Sequence, residues 1–484
     1  MKRILAAVLV ATLLCFSVTV LVGCGGKYEF TDFEMPEGGY DGSEVTITFL
    51  HTQGSKLQNV LNYYLDEFMK LYPNIKVEHD TGGSYDDLRS KISKQLTVGN
   101  QPNVAYCYPD HVASYNVAGA VVDMNVFINS TLPVTDANGN ESILGFTESD
   151  IANFIEGYYE EGMMFGDLNG DGVNEMYTLP YSKSTEVLYY NVEALKSFGV
   201  EVPKTWAELK EACRIIKEKD PDCIPLGYDS EANWFITMCE QYGSPYTSAT
   251  GEEHFLFDNE QNRAFVKEFI EWFELGYVTT EEIHGSYTSN LFTATEGTRS
   301  YMCIGSSAGA SYQCPAANDK GEYPFTVGIT QPPQVDPANP KVISQGPSVC
   351  IFKSENPQEV IASWLLVKFL TTNVDYQAEH SMESGYVPVI KNVTDNAYYA
   401  NYLDKATRGN SYLTALSVKQ GLLQADAYYT SPAFNGSSVA REQVGLLMQA
   451  CFVGAPTDKT QLDAFIKQQF EQSVQLCKSR SGKK

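Results

Sequence analysis

Positive charge is scarce in this 484-residue chain. Lysine and arginine number 34 against 60 aspartates and glutamates, and the formal net charge is −26. A surface of that sign repels the phosphates of nucleic acids, so we expect no nucleic-acid partner. Charged residues make up only 19% of the chain, whereas tyrosine (31) and phenylalanine (24) are plentiful. That balance excludes a disordered chain and fits a folded protein with a solvated extracellular surface.

Motifs for metals and cofactors are also missing. The six histidines are scattered and no C-x-x-C occurs, so we expect neither a structural zinc site nor a cofactor. One loop, Asp167–Glu175, imitates the first nine positions of a calcium loop. Thr178 stands at the twelfth position, where a bidentate glutamate is expected, and a glycine-rich hairpin turn explains the same residues. We therefore expect no metal, with calcium in this loop as an open alternative.

Long apolar runs are absent except at the start of the chain. Ile4–Val22 carries no charge, follows a positive start, and leads through small residues to Cys24. This order predicts an export signal over residues 1–23, with Cys24 as the lipidated cysteine. A retained membrane helix is the alternative, since about 20 apolar residues span a bilayer. We expect a mature protein anchored by lipid to the outer face of the bacterial cytoplasmic membrane, on the extracellular or periplasmic side.

The remaining cysteines are odd in number. Nine are left once the signal is removed and Cys24 is acylated, so they cannot all pair within the chain. Local bridges between Cys213 and Cys223, or between Cys303 and Cys314, stay open. Buried free thiols are the interpretation that we favour.

The exported part divides into short ends and a long folded body. Residues 24–44 are rich in glycine and acid without apolar periodicity, which predicts a flexible tether. The following body is too long for one hydrophobic core and is expected to form two lobes. Residues 477–484 are expected to be a loose tail.

Strand and helix patterns alternate at the start of the body. Apolar spacing predicts strands at Val45–Leu50, Ile75–Val77 and Val104–Tyr108, separated by helices at Leu57–Tyr72 and Asp86–Val98. This order is typical of an α/β fold with a doubly wound parallel sheet, in which ligands bind beyond the strand ends.

The segment that organises the chain is Met176–Asn191, MYTLPYSKSTEVLYYN. Its flanks alternate like strands, and its middle is small and polar. Such a segment suits a crossing between two lobes, and an ordinary loop is the alternative. The pattern P-[YF]-x-x-S-T-x-V-L-Y-Y-N resembles the first crossover of the extracellular solute-binding proteins of bacterial ABC importers. The resemblance is closest to their sugar and glycerol-3-phosphate branch.

Further motifs resemble the same family in the same order. They are GSYDDLRSKISKQLTVGNQPNV in the second helix and its turn, the return crossing at Thr330–Pro332, SGYVP in a third crossing at Ser384–Tyr386, and the late element Pro432–Arg441. The resemblance implies a periplasmic-binding-protein-like fold, with two lobes joined by hinge crossovers around a ligand cleft. It assigns residues 45–183 and 330–383 to one lobe, and residues 184–329 and 384–476 to the other.

The resemblance also implies a ligand site. Thr205 and Glu208 form a predicted capping box that puts Trp206 at the first position of a helix reaching Lys219. Trp206 then either lines the cleft or packs beneath the helix start. Position by position, the residues that match ligand contacts in the family are Tyr85, Asp110, Ser184, Trp206, Ser307, Gly346, Tyr386 and Arg441.

The implied function is binding without chemistry. The resemblance predicts a lipoprotein that closes on a carbohydrate or a glycerol-3-phosphate-like solute and delivers it to an ABC permease. A different class stays open, because Gly305–Gly309 fits the G-x-S-x-G pattern of serine hydrolases, with Ser307 as nucleophile and His380 as base. A surface adhesin or sensor on the same fold is the third alternative.

Overall fold

A computed structural model describes residues 28–405 and 409–482 of the chain. The predicted signal and the predicted lipidation site, Cys24, lie outside these residues. The strands are β1 Val45–His51, β2 Ile75–Thr81, β3 Val104–Cys107, β4 Pro133–Thr135, β5 Glu141–Ile143, β6 Leu179–Pro180, β7 Ser184–Asn191, β8 Leu226–Tyr228, β9 Val278–Thr280, β10 Met302–Ser306, β11 Val327–Thr330, β12 Val342–Gln345, β13 Ser348–Ile351 and β14 Tyr428–Tyr429.

Helices occupy much of the remaining chain. They are α1 Ser55–Leu71, α2 Tyr85–Leu96, α3 Pro109–Tyr115, α4 Asn125–Ile128, α5 Glu148–Asn153, α6 Glu156–Glu160, α7 Val192–Phe198, α8 Trp206–Lys219, α9 Glu231–Tyr242, α10 Glu260–Glu274, α11 Glu281–His284, α12 Ser289–Phe292, α13 Pro357–Thr372, α14 Val374–Ser384, α15 Ala397–Lys405, α16 Gly409–Leu423, α17 Ser437–Gly454 and α18 Leu462–Ser481. Within the described ranges no helix has the length and apolarity needed to cross a membrane.

The first lobe is built on a five-stranded sheet with the order β2-β1-β3-β13-β6. Strands β1, β2 and β3 are parallel, as the alternating pattern predicts, while β13 runs antiparallel to β3 and to β6. Helix α1 buries Leu61, Tyr64, Leu65 and Phe68 in this lobe. Helix α2 begins at a capping box in which Ser84 and Asp87 exchange hydrogen bonds. The predicted start of this lobe is therefore confirmed in order and type.

The second lobe is built around β7. This strand pairs with β10 on one edge, and with β12 and β11 along the other, in a sheet that also contains β8, β9 and β14. A separate core rich in aromatic rings packs here, with Trp234 and Trp272 fully buried. The capping box of Thr205 and Glu208 is present, and the helix that it starts spans Trp206–Lys219 as predicted.

The chain leaves the first sheet at β6 and enters the second at β7, so Tyr181–Lys183 is a crossing. The return crossing lies at Gly346-Pro347, between β12 and β13, which corrects the prediction of Thr330–Pro332. Strand β11 stays in the second lobe because its backbone pairs with β7 over Leu188–Asn191.

Gly346 fits closely against the first crossing. Its φ is +89°, and a Cβ atom there would lie 2.5 Å from the carbonyl oxygen of Ser182 and 3.0 Å from the amide nitrogen of Ser184. Both the left-handed backbone and the lack of space call for glycine. Gly346, which was predicted to contact the ligand, thus allows the two crossings to lie side by side.

The third crossing predicted at Ser384–Tyr386 does not lead the chain directly into the second lobe. Val387 pairs with Lys183 of the first crossing through backbone hydrogen bonds of 3.1 and 2.6 Å. The next apolar side chains, Val389, Ile390 and Tyr399, are buried in the core of the first lobe. Their burial corrects the assignment of residues 387–399 to the second lobe.

Both ends of the described body are ordered by packing. The ring of Phe33 stacks on Phe127 with centroids 5.1 Å apart, and the Lys353 ammonium lies 2.6 Å from an Asp32 carboxylate oxygen. The prediction of a flexible tether is therefore wrong for residues 28–44, because aromatic side chains of this segment pack against the core of the first lobe. At the other end α18 continues to Ser481 with Cys477 buried, so the predicted loose tail is helical up to that residue.

The cysteines of the described residues are free thiols, and all but Cys314 are buried. This agrees with the interpretation favoured from their odd number.

Candidate ligand cleft

Tyrosines from two loops of the first lobe meet beside the crossings. Tyr85 is the first residue of α2, and its ring centroid lies 4.8 Å from that of Tyr108 at the end of β3. The hydroxyls of Tyr85 and Tyr386 each influence the pKa of the other, and burial raises the pKa of both. Two predicted site residues, Tyr85 and Tyr386, are thus brought together from positions far apart in the sequence.

The start of α3 adds polar groups to this side. Pro109 occupies the first turn, and the carboxylate of Asp110 accepts the backbone N–H of His111 at 2.9 Å. The side chain of Asp110 keeps 20% of its surface exposed. The His111 ring is buried, and burial lowers its pKa, so the ring is neutral near pH 7.

Arg441 faces these groups from α17 of the second lobe. Its Nη2 donates to Asn233 Oδ1, and Asn233 Nδ2 donates to Glu186 Oε1 at 2.8 Å. The Tyr228 hydroxyl donates to the other oxygen of Glu186 at 2.5 Å. Among the described residues no carboxylate forms an ion pair with Arg441. The guanidinium is therefore held in place by a neutral amide and keeps donors for a ligand.

The two sides are in contact. Helix α3 touches α17, and the positive charge of Arg441 opposes the rise in the pKa of Tyr108 that burial causes. We call the region formed by Tyr85, Tyr108, Asp110, Tyr386 and Arg441 the cleft. It lies beyond the carboxyl end of β3, where ligands bind in open α/β sheets.

The outer wall of the cleft belongs to the second lobe. Tyr287 and Tyr312 are 62% and 75% exposed. The pKa of Tyr287 is raised first by the charge of Glu281 and then by burial, with smaller contributions from Tyr312 and Tyr386. Burial, with a contribution from Asp229, raises the pKa of Glu281 to about 7. No sequence motif predicts that Tyr287 and Tyr312 belong to the site. The abundance of tyrosine in the chain is the only sequence signal that relates to them.

Trp206 does not line the cleft. Its indole stacks near Trp234, with centroids 6.2 Å apart, and its Nε1 donates to Gln241 Oε1 at 2.7 Å. It is one of the buried residues of the second core, packed also against Phe269 and Trp272. The prediction of a cleft tryptophan is corrected because the helix start points this ring into the core, where its N–H is already bonded.

Ser184 and Ser307 serve the crossing region. Ser184 is buried and pairs with Gln345 in the β7–β12 ladder. The Oγ of Ser307 accepts the backbone N–H of Thr185 at 3.1 Å, and its carbonyl accepts the Ser417 hydroxyl at 2.8 Å. Both serines thus stabilise the backbone next to the first crossing.

The same geometry counts against hydrolysis at Ser307. Its side chain is fully buried, and the ring neighbours of His380 are Tyr181, Tyr376 and Tyr386. Burial lowers the pKa of His380 to about 3, which makes it a poor base at neutral pH.

The loop that imitates a calcium site forms a tight turn. The Asp167 carboxylate accepts the backbone N–H groups of Gly170 at 2.6 Å and Gly172 at 2.9 Å. The two oxygens of Glu175 accept the N–H groups of Leu168 at 2.7 Å and Asn169 at 2.9 Å. These carboxylates close a tight turn, but no strand of the described residues adjoins the turn on its N-terminal side and Leu179–Pro180 pairs with β13, so the predicted hairpin is not formed.

Comparison with known proteins gives a consistent result. The family model described as bacterial extracellular solute-binding protein matches residues 63–407. The sn-glycerol-3-phosphate-binding periplasmic protein UgpB of Escherichia coli K12 is 22% identical over 377 residues, covering 74% of this chain and 78% of that protein.

Solved structures share the fold. The cyclic alpha-maltosyl-1,6-maltose binding protein of Arthrobacter globiformis superposes with a TM-score of 0.66 at 16% identity, covering 90% of this chain and 100% of that one. UgpB of Mycobacterium tuberculosis, solved with glycerophosphocholine, gives 0.67 at 15% identity, covering 90% and 99%. The two-lobed, periplasmic-binding-protein-like fold is thereby confirmed.

Proposed function

Because this chain belongs to the bacterial extracellular solute-binding proteins, we propose that it captures a carbohydrate or a glycerol-3-phosphate-like solute in the cleft for an ABC importer. The family works with ABC permeases and consists of binding proteins, not enzymes. The proposal for this chain is that Tyr85, Tyr108 and Tyr386 contact the solute from one lobe while Arg441 contacts it from the other.

The observation that carries the proposal is the pairing of tyrosines with an arginine that forms no ion pair with any carboxylate of the described residues. Tyrosine rings offer apolar faces to the C–H groups of a sugar, and their hydroxyls donate or accept hydrogen bonds. Arg441 adds a planar fork of donors that suits hydroxyl, carboxylate or phosphate oxygens. The wall of Tyr287 and Tyr312 extends the aromatic surface beyond these residues.

Two ligand classes fit the cleft. The relatives are named for sn-glycerol 3-phosphate, a cyclic maltosyl-maltose and glycerophosphocholine, which share polyol hydroxyls. A net charge of −26 and the nearby carboxylates Asp229 and Glu281 favour a neutral sugar. Salt screens the long-range repulsion over roughly 8 Å, so the local charge of Arg441 keeps a phosphate open as an alternative.

Delivery of the solute to the permease depends on movement of the lobes about the crossings. A solute that touches both lobes draws them together through the adjacent crossings Tyr181–Lys183 and Gly346-Pro347, as hinge closure requires. We further propose that Cys24 carries the lipid that holds the protein at the outer face of the membrane, next to the permease.

A ligand screen by thermal unfolding tests the proposal. Glycerol phosphates and gluco-, galacto-, manno- and xylo-oligosaccharides are the probes, and a true ligand at a hundred times its dissociation constant stabilises the protein by about 2.7 kcal/mol. Tyr386→Phe should reduce that shift, whereas Tyr398→Phe, at an exposed position on α15, should leave it unchanged. A wild-type protein whose melting temperature responds to no probe would overturn the proposed function.

A further inference from the structure

Two histidines of the first lobe hydrogen-bond to each other. His51 is the last residue of β1 and His79 lies on the parallel strand β2, with His51 Nε2 and His79 Nδ1 2.9 Å apart. The other nitrogen of each ring also has a partner. The backbone N–H of Gln53 donates to His51 Nδ1 at 3.1 Å, and His79 Nε2 lies 2.7 Å from Asn62 Oδ1 on α1. We call these four groups the histidine chain.

The backbone at one end fixes the direction of every hydrogen bond in the histidine chain. An amide N–H only donates, so His51 Nδ1 must accept, and the proton of His51 is on Nε2. That proton is donated to His79 Nδ1, which leaves the proton of His79 on Nε2, where it faces the oxygen of Asn62. Both rings are therefore neutral, and each has a single tautomer.

The surroundings of the two rings agree with their neutral state. His51 is fully buried, and burial lowers its pKa to about 4, with the charge of His79 acting in the same direction and Asp80 opposing it. Burial also lowers the pKa of His79, again against Asp80. The Asp80 carboxylate lies 2.8 Å from the ammonium of Lys91 on α2, and the α1 side chain at His79 is the neutral Asn62. Both rings are thus uncharged near pH 7 and take up protons only in acid.

An added proton cannot be accommodated without breaking the histidine chain. His79 is half-buried beside the exposed Asn62, so a proton from solvent reaches it before it reaches the fully buried His51. On His79 Nδ1 the proton faces the N–H of His51. His51 can accept it only by moving its own proton to Nδ1, which faces the backbone N–H of Gln53. In either case two donors oppose each other, and one hydrogen bond is lost.

Gln53 connects the histidine chain to the junction of the lobes. It follows β1, at the carboxyl edge of the sheet where the cleft lies. Its side-chain Nε2 donates to the hydroxyl of Tyr106 on β3 and, at 3.3 Å, to the hydroxyl of Tyr181 in the first crossing. Its carbonyl accepts Gln58 Nε2 at 2.7 Å at the start of α1. A shift of the Gln53 backbone would therefore disturb hydrogen bonds to β3 and to the first crossing.

We propose that His51 and His79 are positioning residues of the cleft, which hold the loop between β1 and α1 for solute binding when both are neutral and release it when His79 is protonated. The proposal rests on the proposed function and adds a dependence of binding on pH. Both histidines act through Gln53. The solute is then held near neutral pH and released more readily in acid.

His79→Asn is the decisive variant. Its Oδ1 takes the place of Nδ1 and accepts the His51 N–H, but it does not titrate. Calorimetry at pH 7.5 and pH 5 uses the oligosaccharide that binds in the screen. If only glycerol phosphates bind, glycerophosphocholine is used, because its phosphodiester does not titrate in this range. Between the two pH values wild-type affinity should fall about fivefold more than that of the variant, which corresponds to about one hydrogen bond.

His51→Phe should imitate the protonated state. It keeps a ring near Phe49 and Tyr106, where the His51 centroid distances are 5.3 and 6.0 Å, but offers no acceptor to Gln53. Its affinity should already be low at pH 7.5 and should change little at pH 5. His284→Asn, at an exposed position of α11, is the control and should keep the wild-type pH profile.

Nitrogen-15 NMR of the imidazoles tests the histidine chain without a ligand, and six histidines keep the spectrum simple. At pH 7.5 both rings should be neutral with the proton on Nε2. A proton on Nδ1 of either His51 or His79 would overturn the proposal, as would equal pH profiles of wild type and His79→Asn for a solute that binds. The proposed function would stand in both cases. Failure of the wild type to bind any probe would instead remove the proposed function, and the proposed effect of pH on binding with it.

Discussion

Lys183 and Glu161 form a buried ion pair at the junction of the two lobes, with Nζ and Oε1 2.6 Å apart. Their side chains are 0% and 3% exposed. Lys183 lies in the first crossing, and its Nζ also donates to the carbonyl of Gly346 at 3.2 Å in the return crossing. The second oxygen of Glu161 accepts the Ser344 hydroxyl at 3.0 Å, so one pair of charges ties both crossings together.

Lys183→Met should destabilise the protein by about 3–5 kcal/mol, because it leaves the Glu161 carboxylate buried without a counter-charge. Urea unfolding measures the loss. Lys210→Met is the control: this lysine pairs with Glu268 and Glu271 at the surface, where the change should stay near 0–1 kcal/mol. Equal stability of Lys183→Met and wild type would show that the pair does not hold the junction.

Glu186 should make stability depend on pH. Burial raises its pKa from the ordinary 4.5 to about 7, so the folded protein keeps a proton that the unfolded chain loses above pH 4.5. Stability should therefore fall as pH rises from about 4.5 to 7, by an amount on the order of 1–3 kcal/mol.

Glu186→Gln should remove that part of the pH dependence, as denaturant unfolding at pH 5 and pH 8 would show. The matched control is Glu268→Gln on the surface of α10, which should keep the wild-type difference. An identical difference in Glu186→Gln and wild type would mean that Glu186 titrates normally in the folded protein.

Arg441→Ala should weaken a phosphorylated solute by about 1.5–3 kcal/mol and a neutral one by about 1 kcal/mol, since hydrogen bonds to charged groups are the stronger. Calorimetry on the solute from the screen gives both numbers. Arg214→Ala, which removes an exposed arginine bound to Glu211 and Glu218, serves as the control. If Arg441→Ala binds every solute as wild type does, the arginine does not contact the ligand.

Lobe closure should appear as a smaller radius of gyration in small-angle scattering when solute is added. The expected reason is rotation about the adjacent crossings once a ligand touches both lobes. A profile that does not change at saturating solute would favour a fixed scaffold, such as a surface adhesin.

Cys24→Ala should yield protein that carries no lipid and is either released or left uncleaved. Labelled fatty acid in growing cells measures the modification. Label that persists on the variant would refute the lipidation of Cys24.

Local signals in the sequence were sufficient for several elements. The capping box of Thr205 and Glu208 gave the bounds of Trp206–Lys219, and apolar alternation gave β1 and the helices after it. These features depend on residues a few positions apart, because a helix start needs its cap within one turn and a strand needs only its own alternation. The two-lobed fold also followed from family motifs, because their order along the chain is preserved.

Long-range packing decided the rest. The chain stays in the second lobe at β11, which pairs with β7, and returns to the first lobe at β13, which pairs with β3. No local pattern in the sequence predicts these two pairings. Trp206 occupies the predicted first position of its helix. Its ring nevertheless lies in the core, because it packs near Trp234 and its Nε1 donates to Gln241.

The same holds for the cleft. Motifs singled out Tyr85, Asp110, Tyr386 and Arg441 one by one, and the structure brings them together. Asn233 has no motif, and only folding brings its side chain to Arg441, where it holds the guanidinium. Sequence spacing determines which side chains share a helix face or strand, whereas burial and pairing depend on which distant segments meet, and that is settled only by the tertiary structure.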